Sequence, residues 1–147
     1  MAPKDDPDKF TFIDTVRAWG TSPIPPMTLS SLILSLHLRP TFHPLPALFS
    51  PLLAFSSYLT LAGFKTDGAG MTAAWSGIYV LLASRRSPPG GGTFQSKFLT
   101  LRGGVRGLAM GLGILNTICG AYVYATGDRK AEEEERREVN RWGVYKD

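Results

Sequence analysis

The uncharged run at residues 107–127 limits the fold more than any other feature of the sequence. It extends for 21 residues without Asp, Glu, Lys or Arg. A helix of that length rises about 30 Å, which is the thickness of the hydrocarbon core of a bilayer. We therefore predict a membrane-spanning helix at about 105–126.

The glycines of this region, in the segment RGGVRGLAMGLGILNTICGAYVY (102–124), raise the alternative of a phosphate-binding loop. Such a loop needs glycines at a strand-to-helix turn, where backbone N–H groups face the anion. Here Gly111 and Gly113 are followed by Asn116 where the dinucleotide fingerprint requires a third glycine, and no Gly-Lys-Ser/Thr motif occurs. The spacing therefore does not support a phosphate-binding loop.

Two further apolar segments predict two more spanning helices. Residues 45–64 are uncharged, and Pro51 should bend this helix, which neighbouring helices in a membrane tolerate. Residues 68–84 would return across the bilayer after a tight turn at 65–67. The three segments together predict a bundle of antiparallel membrane helices.

Glycines lie where close contact between these helices is expected. Gly103, Gly107 and Gly111 follow overlapping Gly-x-x-x-Gly spacings, which put small residues on one helix face and let two backbones approach in a bilayer. An asparagine in the same helix is expected to form an interhelical hydrogen bond worth about 1 kcal/mol. The predicted helix-packing residues are Gly70, Gly77, Gly103, Gly107, Gly111 and Asn116.

The N-terminal part of the chain contains no apolar run of full spanning length. Residues 27–38 are apolar for only 12 residues, which suits an interfacial or re-entrant helix. Residues 10–26 mix aromatic side chains with prolines and predict a short amphipathic piece followed by an extended linker. The fold class is therefore an all-α membrane protein with three spanning helices, or four if residues 27–38 also cross. Its predicted parts are an N-terminal segment (1–44), a transmembrane region (45–127) and a charged tail (128–147).

Basic residues predominate between the two charged ends of the chain. From Thr15 to Gly127 there is one acid, Asp67, against eight bases. This excess suits loops that contact anionic lipid headgroups, and the long apolar runs between the bases argue against a nucleic-acid-binding face. Phospholipid contact is predicted for Arg85, Arg86, Lys97, Arg102 and Arg106.

The same bases predict an orientation. By the positive-inside rule, the loop at 85–106 lies on the side of synthesis or, in an inner mitochondrial membrane, in the matrix. With three spans, the turn at 65–67 and the C-terminal tail lie on the opposite side, which is the intermembrane space.

The final residues, 128–147, hold 13 of the 28 charged side chains. Two glutamate–arginine pairs have the favourable i,i+4 order on a helix, each worth a few tenths of a kcal/mol: Glu132–Arg136 and Glu133–Arg137. The pattern predicts a solvated helix. Two aromatic residues at its end are a predicted docking segment for a neighbouring protein: Trp142 and Tyr145.

The polar residues of the chain do not form a pattern that predicts catalysis. His37 and His43 are not at a metal-ligand spacing with another His, Cys or carboxylate, and the single cysteine, Cys119, lies in the predicted third helix. No predicted span contains an ionisable residue of the kind that a proton or ion carrier places there. We expect no catalytic, metal or cofactor site.

The order of these features is more specific than their composition. A hairpin followed by GAGMTAAWSGIYVLLASRRS (68–87), a proline- and glycine-rich basic loop, a glycine-spaced last helix and a charged tail together resemble the small NUXM-type accessory subunit of fungal mitochondrial respiratory complex I. The resemblance covers residues 45–127 and includes no catalytic motif. It implies a non-catalytic inner-membrane subunit on the membrane arm of NADH:ubiquinone oxidoreductase, with quinone, flavin and iron–sulfur chemistry in other subunits.

Three functional hypotheses follow from the sequence. The first is a structural subunit that stabilises a larger membrane complex, favoured by the small-residue helix faces and the charged tail. The second is a small self-associating carrier or channel lined by the glycine-rich helices. The third is an assembly or membrane-shaping factor, which differs from a permanent subunit in its stoichiometry.

Overall fold

Helices account for almost all of the chain that the structure describes. The computed structural model describes residues 11–38, 44–85, 100–140 and 143–144, and 88% of these residues are helical with no strand among them. This confirms the all-α class. In chain order the helices are α1 (Phe12–Gly20), α2 (Ile24–Leu38), α3 (Pro44–Ala47), α4 (Phe49–Leu61), α5 (Lys65–Arg85), α6 (Leu101–Thr126) and α7 (Arg129–Val139).

Within the described residues, two segments are long and apolar enough to cross a membrane. They are Pro44–Leu61, which comprises α3 and α4, and Leu101–Thr126, which is α6. Helix α5 has 21 residues but does not match these two in apolar character, and α2 is too short at 15 residues. The structure thus supports two candidate spans, and the prediction of three or four is not confirmed.

Two prolines of the predicted extended linker, Pro25 and Pro26, lie in a helix, whereas Pro23 precedes it. Ile24, Pro25 and Pro26 form the first turn of α2, where a proline's fixed φ and missing N–H are tolerated. Helix α2 packs against both α4 and α6, and Leu29 and Ile33 are completely buried. It is therefore part of the bundle core.

The helical segment is interrupted slightly before Pro51, where the sequence predicts a bend. Leu48 separates α3 from α4. Proline 51 has no N–H to donate to the carbonyl of Ala47, and its ring would clash with that carbonyl in a continuous helix. The interruption therefore falls in the turn before the proline.

The connection between α4 and α5 lies at residues 62–64, and residues 65–67 form the first turn of α5 instead of the predicted turn. Gly63 has φ +94°. Its N–H donates to the Thr60 carbonyl (3.2 Å), and the Phe64 N–H donates to the Leu59 carbonyl (2.9 Å). This is the Schellman arrangement, which ends α4 and favours glycine at the left-handed position.

Helices α5 and α6 form the most extensive interhelical contact, and they run antiparallel. A Cβ atom added to Gly120 would lie 2.6 Å from the carbonyl oxygen of Ala69, and one added to Gly113 would lie 2.6 Å from Cγ2 of Val80. Both distances are too short for any side chain. The close approach of the two helices therefore depends on these glycines.

Candidate functional site

The inward face of α6 is made mainly of small residues. Its buried positions are Ala109, Gly113, Asn116, Cys119, Gly120 and Val123, and all of them except Cys119 alternate spacings of four and three as in a heptad seam. Sequence reasoning missed Gly113 and Gly120. The heptad spacing of small residues is the signal that identifies them.

The predicted glycines differ in their surroundings. A side chain at Gly70 would overlap the ring of Tyr124, whereas one at Gly77 would meet only ordinary contacts with Thr117 at 3.4–3.5 Å. Gly111 faces open space, with no atom within 4 Å of an added Cβ. Gly103 and Gly107 are half-buried. Packing of Gly111 against another protein stays a prediction.

Asn116 forms the predicted interhelical hydrogen bond, and its partner is on α1. The indole N–H of Trp19 donates to Oδ1 of Asn116 at 3.0 Å. A tryptophan N–H can only donate, so the amide oxygen faces Trp19. The Nδ2 of Asn116 and the Oγ of Ser76 are enclosed and lack a partner among the residues described.

Gly20, the residue after Trp19, allows the end of α1 to approach α6 closely. A Cβ atom at Gly20 would lie 2.6 Å from the Cys119 carbonyl oxygen. The missing side chain lets the end of α1 lie directly on α6. A short amphipathic segment is thereby joined to the bundle.

Hydroxyl groups connect α2 and α4 inside the bundle. Oγ of Ser30 donates to the Ser50 carbonyl (2.8 Å), and Oγ of Ser50 donates to the Ser30 carbonyl (3.0 Å). Oγ of Ser57 donates to the Pro23 carbonyl at 2.9 Å. Buried side-chain hydrogen bonds of this kind hold helices together where the surroundings supply no hydrophobic driving force.

Two of the predicted lipid-contacting arginines bind helix ends of the chain itself. Arg102 Nη2 donates to the Leu36 carbonyl at 3.1 Å, and Arg106 Nη2 donates to the Ala83 carbonyl at 2.7 Å. These carbonyls lie in the last turns of α2 and α5, where a cation is favourable. Arg85 is exposed at the end of α5. The other two predicted contacts lie outside the described residues: Arg86 and Lys97.

The C-terminal helix α7 begins at a defined cap. Asp128 accepts hydrogen bonds from the N–H groups of Lys130 (3.0 Å) and Ala131 (3.3 Å), as an N-cap does. The two predicted ion pairs are confirmed at 3.8 Å for Glu132–Arg136 and 2.8 Å for Glu133–Arg137. The N-cap and the two ion pairs therefore stabilise α7 through interactions within its own segment.

Helix α7 is not solvated on all sides, because one face lies on the α4–α5 connection and the first turn of α5. Lys65 pairs with Glu135 at 2.8 Å, and Arg129 pairs with Asp67 at 3.2 Å. The Lys65 ammonium lowers the pKa of the Glu135 carboxyl, chiefly through their hydrogen bond. The hydrogen bond with Asp67 likewise raises the pKa of Arg129.

Two further residues of α7, Arg136 and Glu132, make less exposed contacts. Arg136 lies over the ring of Phe64, 4.1 Å from its centroid, and its Nη1 donates to the Gly63 carbonyl at 3.1 Å. Glu132 Oε1 accepts from the backbone N–H of Thr66 at 2.8 Å. Sequence reasoning missed this contact surface, because its two parts are far apart in the chain.

The remaining predicted sites are not tested by these contacts. The docking residues Trp142 and Tyr145 and the histidine His43 lie outside the described residues, and Val144 is exposed. Across the described ranges, no cluster of three or more His, Cys, Asp or Glu side chains could hold a metal ion. Comparison with protein-family models, with characterised proteins and with solved structures finds no match to this chain.

Proposed function

We propose that this protein is a non-catalytic accessory subunit of the mitochondrial NADH:ubiquinone oxidoreductase, embedded in the inner membrane, where helix packing stabilises the membrane arm. The proposed membrane location is supported chiefly by the distribution of polar and apolar side chains. Nine polar side chains are buried among the described residues, against ten hydrophobic ones other than proline. Such a polar interior is unusual for a water-soluble bundle.

The outer surface has the opposite character. Only 39% of the first candidate span and 33% of the second are buried within the chain, whereas a core helix of a soluble protein is mostly buried. Large apolar side chains point outwards from both, among them Leu48, Phe55, Leu61, Leu108 and Ile118. Exposed apolar surface of this extent marks a membrane or protein contact.

The proposed host complex is supported by the resemblance of residues 45–127 to the NUXM-type subunit. The outward-facing Gly111, beside exposed Leu108 and Leu115, leaves a face of α6 on which a helix of another subunit could pack closely. The proposed orientation, with loop 85–106 in the matrix and the tail in the intermembrane space, rests on the positive-inside rule. The contact of α7 with the start of α5 agrees only with the tail and the α4–α5 connection sharing one side.

The decisive experiment is a native-gel separation of mildly solubilised mitochondrial membranes that contain the chain tagged after Asp147. Mass spectrometry then identifies every protein in the tagged band. Comigration with a megadalton NADH-dehydrogenase band at one copy per complex is the expected result. A substoichiometric amount in assembly intermediates would instead indicate an assembly factor. A small band with only this chain would overturn the proposal and favour a self-associating carrier.

A further inference from the structure

A pocket of about 450 Å³ lies between the α4–α5 connection and helix α7. Its volume is within the range of pockets that bind small molecules. Part of its wall is apolar, with Tyr58, Leu61, Phe64 and Val139, and part is charged. The charged part has two cations, Lys65 and Arg136, and one carboxylate, Glu135, which pairs with Lys65. The pocket is therefore amphipathic.

The apolar wall continues onto the outer surface of α4. Tyr58 and Leu61 line the pocket and are still 52% and 58% exposed. Phe55, stacked against Tyr58 with ring centroids 6.2 Å apart, extends this surface along the helix. Lys65 is the first charged residue after this uncharged run. The pocket thus lies where the apolar surface meets the charged end of the bundle.

The charged part of the wall has unused hydrogen-bond donors. Arg136 Nε is enclosed and has no acceptor within the part of the chain described, although Nη1 of the same group donates to the Gly63 carbonyl. Lys65 binds Glu135 but keeps a side chain that is 38% exposed. A ligand group that only accepts hydrogen bonds, such as a phosphodiester, complements these donors.

We propose that this pocket binds one phospholipid, with its phosphate at Lys65 and Arg136 and an acyl chain along Tyr58 and Leu61. The inference rests on the proposed membrane location and not on the identity of the host complex. One amphiphile both covers the apolar wall and supplies the missing acceptor, whereas water would supply only the acceptor.

The test is native mass spectrometry of the full-length chain purified in a mild detergent, followed by extraction and identification of the bound lipid. One phospholipid per chain is expected. Arg136→Gln should weaken its retention by at least about tenfold, the effect of losing one charge-assisted hydrogen bond. Arg137→Gln is the matched control, because Arg137 is adjacent, exposed and paired with Glu133, and it should retain the lipid.

A second variant separates lipid binding from docking of α7. Val139→Trp fills the pocket but leaves Lys65 and Arg136 in place, so it should release the lipid while protease protection of α7 stays unchanged. A wild-type chain without phospholipid, or a lipid retained by both Arg136→Gln and Val139→Trp, would overturn the proposal. So would inorganic phosphate alone binding the delipidated chain as tightly as a short-chain phospholipid, measured by ³¹P NMR.

The proposed function can fail independently of this inference. Resistance of the chain to alkaline extraction from membranes tests the membrane location, and the native gel tests the host complex. Lipid retention is measured on the purified chain, so it can be lost while both of those results stand.

Discussion

The backbone N–H of Thr66 donates a 2.8 Å hydrogen bond to Oε1 of Glu132, which joins the first turn of α5 to the C-terminal helix. The hydroxyl of Thr66 donates to the same oxygen. A carboxylate at a helix N-terminus satisfies an otherwise unpaired N–H and interacts favourably with the helix dipole. The charged tail therefore completes a helix of the bundle.

Replacement of Glu132 should detach the tail. Glu132→Ala removes the cap of α5, and we expect a loss of about 1–2 kcal/mol in the free energy of unfolding. The measurements are denaturant unfolding in detergent and limited proteolysis of α7. Glu133→Ala is the control, since that side chain is exposed and pairs with Arg137 in its own helix, and it should cost less than about 0.5 kcal/mol. Equal losses in the two variants would contradict the capping role.

Low pH should weaken the contact between α7 and the first turn of α5 through the Lys65–Glu135 pair. Because Lys65 lowers the pKa of Glu135, the folded state binds a proton less readily than the unfolded state. The stabilisation is then complete above the ordinary glutamate pKa of about 4.3 and is lost as pH falls through the lowered value. The protection factors of the α7 amides, which are corrected for the pH dependence of intrinsic exchange, should therefore fall below about pH 4. Lys65→Met should reduce this acid response, and an unchanged response would assign it to other carboxyl groups.

Two nearby glycines of α6 should respond differently to the same substitution. Gly113→Leu would collide with Val80, and overpacking of this kind costs about 1–3 kcal/mol of folding free energy. Gly111→Leu enters open space and should change the unfolding free energy by less than about 0.5 kcal/mol. If the open face meets another subunit, Gly111→Leu should still reduce comigration on the native gel. Unchanged comigration would mean that this face meets lipid.

The hydrogen bond between Trp19 and Asn116 should contribute measurably to stability. Trp19→Phe leaves a buried acceptor unpaired, which costs about 1–3 kcal/mol. In a double-mutant cycle with Asn116→Leu, the second substitution should cost less than it does alone. Additive losses would show that the two side chains contribute independently.

The predictions that the structure confirms rest on the spacing of residues that are close in sequence. The uncharged run of α6, the i,i+4 ion pairs of α7 and the all-α class depend on residues within a few positions of each other, where helix geometry alone decides which side chains meet. The interhelical role of Asn116 followed from the same kind of reasoning, because a lone amide in an apolar helix needs a partner. Its partner, Trp19, was not predictable in that way.

Only the tertiary structure decided which surfaces these helices use. Gly-x-x-x-Gly and heptad spacings coexist in α6, and the choice of Gly113 and Gly120 over Gly111 follows from the position of α5. Likewise, the hydrogen bond from Arg106 to the Ala83 carbonyl depends on the position of the end of α5. The sequence by itself determined that helices form, because the necessary interactions are local. Which helices pack against each other depends on contacts between distant segments of the chain, and the sequence of a single helix does not specify those contacts.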